Sequence, residues 1–283
     1  MGRTLRLLFG LTLYIFLPLV VSVLAFGELA GTTPTALAPP LTPTPNTAAT
    51  AVPETDQQAQ TFNRARMLYL RGITNYRTGN YPAALNDFQA AVALAPDEIN
   101  WHNNVGLTLA KLGRFEEAIA EYEVVVTLAP AVAEAHYNLG TLYQARGELD
   151  EAVAAYQAAI TARSDYALAY NGLGAAYDDL GYEEEALNAY EMAASLDPNL
   201  AIAHLNLGAA YAERGELDRA IAELEAAVRL EPESVEAHFN LGLVRAWQGE
   251  TALARASFEQ VIVLAPESKW AAQAHTQLKQ LEP

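Results

Sequence analysis

The apolar positions of residues 133–166 form two successive helical stripes. The first stripe consists of His136, Leu139, Gly140 and Tyr143, at offsets of 0, 3, 4 and 7 residues. The second consists of Ala152, Tyr156, Ala159 and Ile160, at offsets of 0, 4, 7 and 8 residues. Both spacings keep side chains on one face of an α-helix. The stretch therefore predicts two helices joined by a turn, in which Gly147 ends the first helix and Asp150 caps the second.

The same pattern recurs with a period of 34 residues. Glycines recur at positions 72, 106, 140, 174, 208 and 242, and again at 79, 113, 147, 181, 215 and 249. Prolines fall at 96, 130, 198, 232 and 266, and Ser164 takes the missing place. A fixed period of this length is the signature of a repeat architecture. Six units are predicted, at residues 65–98, 99–132, 133–166, 167–200, 201–234 and 235–268.

The repeat resembles that of the tetratricopeptide repeat (TPR) family. In the third unit the residues that carry the resemblance are His136, Leu139, Gly140, Tyr143, Gly147, Ala152, Tyr156 and Ala159. The first unit departs most, because Arg71 and Asn75 replace Leu and Tyr. The resemblance implies an all-α, right-handed solenoid of antiparallel helix pairs with a concave groove lined by the first helix of each pair. Residues 269–283 are expected to form the cap helix that a solenoid end requires.

An apolar segment precedes the repeats. Residues 7–26 contain no charge and are long enough, at about 1.5 Å per residue, to cross the hydrocarbon core of a membrane. After a basic flank at residues 1–6, we expect a transmembrane signal anchor at residues 7–27, with a cytoplasmic N-terminus and extracytoplasmic repeats. The alternative is a signal peptide cleaved after Ala25, which would release a secreted protein. Residues 28–64 are rich in Thr and Pro and are predicted to be a disordered linker and lead-in.

Charge and composition narrow the function classes. The 283 residues include 34 acidic and 17 basic residues, for a formal net charge of −17. Nucleic acid is therefore not an expected partner, because it requires a basic face. The chain has no cysteine, which excludes disulfides, thiolate zinc sites and a cysteine nucleophile. No nucleotide-binding loop, serine elbow or HExxH motif occurs, so we expect neither an enzyme nor a cofactor or small-molecule substrate.

Four of the five histidines occupy one position of the repeat. They are His102, His136, His204 and His238, and the other two units have Leu68 and Tyr170 there. One histidine per helix pair cannot bring several ligands within the ~2 Å that a zinc ion requires. We therefore expect these histidines to be packing residues, and we expect no metal site.

The resemblance implies that partners contact groove-facing positions of the first helices. The sixth position is Asn in four units, and an amide both donates and accepts, as the backbone of an extended peptide requires. The alternative is that these amides only join neighbouring helices. The side chains at the fifth position of each repeat are suited to lining pockets. The carboxylates of Asp178, Asp179 and Glu213 make the middle of the groove acidic. The predicted contact residues are Tyr69, Asn103, Asn104, Tyr137, Asn138, Asn171, Asp178, Asp179, Asn206, Glu213, Phe239, Asn240 and Trp247.

Together these features predict a membrane-anchored scaffold that binds a protein or an extended peptide on the extracytoplasmic side. The acidic groove favours a basic or neutral partner. No repeat has the paired basic residues of the family's clamp for a C-terminal carboxylate, so that partner is not expected. Two alternatives are a secreted repeat protein and an accessory subunit that docks by its convex face.

Overall fold

The computed structural model describes residues 56–282, which form thirteen α-helices. Six helix pairs and one final helix follow one another along the chain. They are α1 (Asp56–Arg77), α2 (Tyr81–Val92), α3 (Ile99–Lys111), α4 (Phe115–Leu128), α5 (Ala133–Ala145), α6 (Leu149–Ala162), α7 (Ala167–Asp179), α8 (Glu183–Leu196), α9 (Ala201–Glu213), α10 (Leu217–Leu230), α11 (Val235–Gln248), α12 (Thr251–Leu264) and α13 (Lys269–Gln280). The odd-numbered helices from α1 to α11 are the first helices of their pairs.

These helices belong to two compact units, which we call the N-terminal unit (residues 56–166) and the C-terminal unit (residues 167–282). In the N-terminal unit, Tyr69, Phe88 and Trp101 are buried in one core that extends along its helices. In the C-terminal unit, Leu224 and Phe258 are fully buried in two neighbouring cores. Each unit therefore has the apolar interior that a stack of repeats needs, since a single helix pair cannot bury its own apolar face.

A glycine facing an aromatic ring sets the spacing within a pair. A Cβ atom added to Gly140 would lie 2.7 Å from Cδ1 of Tyr156, on the second helix of the same pair. Real Cβ atoms essentially never come that close, so this position excludes any side chain while the ring is there. Ala152 and Ala159 have no exposed surface at the same contact. The small residues are therefore there for close helix packing, as their pattern predicts.

The turn within the third pair also depends on a glycine. Gly147 has a φ of +76°, a left-handed conformation that ends α5 and that glycine adopts without strain. The predicted cap at Asp150 is wrong. Helix α6 begins at Leu149 after Glu148, whose side chain makes no capping hydrogen bond, and Asp150 lies in the first turn. There its charge interacts favourably with the positive end of the helix dipole.

The departures of the first repeat are explained by one buried carboxylate. Asp87 on α2 is 6% exposed. Arg71 on α1 forms two hydrogen bonds with it, including one from Nε to Oδ2 at 2.9 Å, and Asn75 donates a third from Nδ2 at 2.8 Å. Arg71 and Asn75 replace apolar residues because they bind a buried anion, which would be costly without partners.

The N-terminal expectations fall outside this structure. The predicted flank, the predicted membrane segment at residues 7–27 and residues 28–55 of the predicted linker lie outside the described residues. Residues 56–64 were predicted to be part of the disordered linker, but they form the first turns of α1. Between residues 56 and 282, none of the helices is both long enough and apolar enough to cross a bilayer.

Candidate functional site

Three first helices of the C-terminal unit present a common set of polar side chains. Helices α7, α9 and α11 lie side by side. Each carries two of the predicted contact residues seven positions apart, which is close to two helical turns and so keeps both on one side. We call this surface the amide–acid face, and it consists of Asn171, Asp178, Asn206, Glu213, Asn240 and Trp247.

The amides of this face form one row. Asn206 donates a hydrogen bond from Nδ2 to Oδ1 of Asn171 at 3.0 Å, and both side chains are half-buried. Asn240 is 3% exposed, and neither polar atom of its amide has a hydrogen-bond partner within the described residues. The residue 35 positions before Asn240 is Leu205, which cannot form the bond that Asn206 makes. A buried amide without partners costs about 1–3 kcal/mol, so this position retains unused hydrogen-bonding capacity.

The carboxylates form a second row, two turns along the same helices. Burial, together with the negative charges of Asp178 and Glu183, raises the pKa of Glu213 to about 7. The surrounding protein raises the pKa of Asp178 as well, and Asp179 and Glu183 contribute through their charges. Residues 167–200 contain seven acidic residues and no Lys or Arg. The row is thus a negative region, formed by α7, α9 and the start of α8, although Arg214 and Arg219 of the next repeat form ion pairs with Glu184 and Glu191.

The corresponding amides of the N-terminal unit are buried. Asn104 donates from Nδ2 to the hydroxyl of Tyr69 at 2.8 Å, across the same interval of 35 residues that separates Asn206 from Asn171. Asn103 and Asn104 are each 1% exposed, and Asn138 has no exposed surface. The alternative that these amides join neighbouring helices therefore holds for Asn104 and Asn206. Among the described residues, only the pair in the C-terminal unit, Asn206 and Asn171, also reaches solvent.

The predicted aromatic contacts lie in the cores. Tyr69, Tyr137 and Phe239 are 2%, 6% and 2% exposed. Their ring centroids lie 5.2 Å from Trp101, 5.8 Å from Tyr156 and 5.6 Å from Phe258, respectively. These rings fill the space between helices, which corrects the expectation that the fifth position supplies open pockets. Asp178 and Asp179 are exposed, and Trp247 is half-buried.

The repeated histidines bind backbone carbonyls. Nε2 of each of the four lies 2.8–3.0 Å from the carbonyl oxygen six residues earlier, which belongs to the proline, as in His136 and Pro130. In two of them Nδ1 also meets a carboxylate at 2.6 Å, namely His102 with Glu121 and His204 with Glu223. The interval of 19 residues between His and Glu was a signal in the sequence that the packing interpretation missed. Within residues 56–282 no group of three or more metal-binding side chains comes together.

The comparisons with known proteins agree with this architecture. Models described as "TPR repeat" match residues 141–181, 179–215 and 209–249, and models described as "Tetratricopeptide repeat" match residues 69–133 and 236–268. No curated protein sequence matches the chain.

Several solved structures share the fold. The APC/C hetero-tetramer Cut9–Hcn1 is 19% identical with a TM-score of 0.68 over 81% of this chain, which spans 46% of that one. MamA is 28% identical with a TM-score of 0.52, and the match covers 58% of this chain and 96% of MamA. YrrB, described as a TPR protein with an unusual peptide-binding site, is 23% identical with a TM-score of 0.52, over 67% of this chain and 97% of YrrB. The family models match more than half of the residues, and the chain belongs to the tetratricopeptide repeat family.

Proposed function

We propose that this protein is a membrane-anchored scaffold that binds an extended segment of another protein along the amide–acid face. Proteins built from these repeats are typically scaffolds without catalytic activity, and YrrB is described as having a peptide-binding site. The observation that carries the proposal is the pair of neighbouring rows, the amides on α7, α9 and α11 and the carboxylates on α7 and α9.

The amide row fits the backbone of an extended chain. The bond between Asn206 and Asn171 uses one N–H and one oxygen, so Asn206 keeps its Oδ1 and Asn171 keeps its Nδ2 for further bonds. The amide of Asn240 is buried and has no hydrogen-bond partner within the described residues, so the exposed part of the row consists of Asn171 and Asn206. Peptide N–H and C=O groups need both donors and acceptors, and such a row supplies both without reading sequence.

The acidic row determines the charge of the partner. Burial and, to a smaller extent, the negative charges of Asp178 and Glu183 raise the pKa of Glu213 to about 7. A Lys or Arg side chain would relieve the repulsion between these carboxylates, whereas an acidic segment would add to it. The preferred occupant is therefore a basic or neutral extended segment.

The location follows from residues outside the described part. An uncharged segment at residues 7–26 behind Arg3 and Arg6 supports an anchor, with the repeats on the extracytoplasmic side. The tether at residues 28–55 would keep the scaffold close to the membrane and raise the local concentration of its partner. The alternative of a secreted form is decided by sequencing the N-terminus of the mature protein, since a start near residue 26 would mean that the anchor is removed.

Site-specific photo-crosslinking in membranes tests the binding face. Ala209 lies between Asn206 and Glu213 on the same side of α9, three residues after one and four before the other. A photo-reactive amino acid at Ala209 should capture a partner that mass spectrometry identifies. The same amino acid at Ala222, which is exposed on α10, is the matched control.

The charge of the face is tested in the same system. Asp178→Lys together with Glu213→Lys should abolish capture at Ala209, because both changes make the row basic. If capture at Ala222 exceeds capture at Ala209 and survives the charge reversal, the partner binds elsewhere. The accessory subunit that docks by its convex face then becomes the better description.

A further inference from the structure

The outward side of α1 is a basic surface on an acidic protein. Of the 22 residues in α1, four are arginines and one is acidic. At about 100° per residue, the four arginines lie on the two flanks of the helix, and Met67 between them lies opposite the buried residues Ala65, Tyr69 and Gly72. We call this surface the α1 outer face, formed by Arg64, Arg66, Met67, Leu70 and Arg77.

These side chains are open to solvent and have no counter-charge. Arg64, Arg66 and Arg77 are exposed, and no ion pair joins them to another side chain of residues 56–282. Arg71, in contrast, is held by Asp87. Between the arginines, Met67 is 71% exposed and Leu70 is 44% exposed. Exposed apolar side chains within a basic helix face are typical of a helix that lies on an anionic membrane surface.

The α1 outer face is opposite in charge to another part of the repeat region. Helix α1 carries an excess of three positive charges, whereas residues 167–200 carry seven acidic residues and no basic one. A negatively charged surface would therefore attract α1 and repel the fourth repeat. The α1 outer face is therefore better suited to contact with anionic lipid than the fourth repeat is.

The position of α1 along the chain favours a membrane as the occupant. It is the first described helix, and residues 28–55 connect its start to the predicted membrane segment. A tether of that length keeps α1 near the bilayer at high effective concentration, whereas the acidic surface of a second copy must be met by diffusion. We infer that the α1 outer face docks on the anionic phospholipid headgroups of the membrane that anchors the chain, with Met67 entering the interface. This inference rests on the anchor proposed above.

A fluorescent label tests the docking in the full-length chain. Because the chain has no cysteine, Met67→Cys provides a single site for an environment-sensitive fluorophore. Val263→Cys on α12 is the matched control, because Val263 is 72% exposed. Both labelled proteins are reconstituted into vesicles of phosphatidylcholine alone or with about 30% phosphatidylglycerol.

The expected result is a blue shift of the label at position 67 in anionic vesicles only, reversed at about 0.5 M salt. The label at position 263 should not respond. Replacing Arg64, Arg66 and Arg77 by Gln should lower the ratio of docked to undocked protein by about 100-fold, since each arginine contributes about fivefold. These arginines make no ion pairs within the described residues, so the helical content should be unchanged by circular dichroism.

The outcomes separate the docking from the anchor. Flotation with vesicles after carbonate extraction tests the anchor alone. A chain that floats but shows no shift in anionic vesicles overturns the docking and leaves the anchor intact. If the chain does not float but binds anionic vesicles in a salt-sensitive way, the proposed anchor is wrong and the docking is supported. A shift that depends on protein density and not on lipid charge overturns the proposal in favour of a second copy.

Discussion

Asn206 and Asn171 are joined by a hydrogen bond of 3.0 Å between neighbouring first helices, and both remain half-exposed. Asn104 and Tyr69 make the equivalent bond at 2.8 Å, but Asn104 is 1% exposed. The same position of the repeat therefore has two environments. In one unit it is closed within the packing, and in the other it also reaches the surface that a partner would use.

This difference predicts two separable effects. Asn206→Ala should reduce photo-capture of a partner at Ala209 by about tenfold, because it removes one or two hydrogen bonds to the partner backbone. Asn104→Ala should leave that capture unchanged, although it should lower the free energy of unfolding by about 1–3 kcal/mol by removing the buried hydrogen bond to the Tyr69 hydroxyl. Equal losses of capture in the two variants would mean that the amides act only through stability.

The stability of the C-terminal unit should depend on the protonation of Glu213. Its pKa is about 7 in the folded state and near 4.5 ordinarily, so folding favours the protonated carboxyl. That contribution is complete below pH 4.5 and is lost as the pH rises through 7. Glu213→Gln should therefore be more stable than the wild type at pH 8, by about 1–3 kcal/mol, and equally stable near pH 4.

Urea denaturation at several pH values measures this difference. Glu185→Gln is the control, because Glu185 is exposed on α8. A Glu213→Gln variant that is no more stable than the wild type at pH 8 would show that burial and the neighbouring carboxylates do not raise the pKa of Glu213 in the folded state.

His102 should stabilise the N-terminal unit most under acidic conditions. A hydrogen bond to Glu121 raises the pKa of His102, and the carbonyl of Pro96 and the charge of Asp97 act in the same direction against burial. Both ring nitrogens face oxygen acceptors, and only the protonated ring can donate to both. The stabilisation is therefore complete below pH 6.5, the ordinary pKa of histidine, and is lost as the pH rises through the raised pKa of His102.

The variant His102→Gln should lose about 1–2 kcal/mol of unfolding free energy at pH 5.5 and less at pH 9. His136→Gln is the matched control, since His136 binds the carbonyl of Pro130 and the residue 19 positions later is Ala155. The unfolding free energy that His136→Gln loses should change less with pH. If both variants respond equally, the carboxylate of Glu121 does not contribute.

Overpacking tests the contact within a helix pair. Ala152→Leu should lower the free energy of unfolding by about 1–3 kcal/mol, because Ala152 has no exposed surface and faces the first helix of its pair. Ala154→Leu is the control on the same helix, since Ala154 is exposed and can accommodate a larger side chain. Thermal unfolding of both variants measures the difference, and an unchanged melting temperature in Ala152→Leu would contradict the close contact.

Much of the fold could be predicted from local rules. Gly140 and Gly147 have steric roles that recur every 34 residues, so period and residue type are enough to predict the helix pairs. The capping prediction at Asp150 was wrong because the exact start of a helix depends on the backbone geometry of one or two residues. A periodic pattern does not resolve that geometry. The role of Arg71 was also not predictable, since its partner Asp87 lies on another helix.

The candidate site was less predictable than the fold. Burial of Tyr69, Tyr137 and Phe239 depends on rings in other helices, and the environment of each amide depends on the residue 35 positions earlier. By itself, the sequence determined the repeat, its period and the acidic charge, because these follow from residue types at fixed spacing. Only the tertiary structure decided which amides are closed within the packing and which carboxylates gather on one face, because exposure and mutual repulsion are properties of helices already packed together.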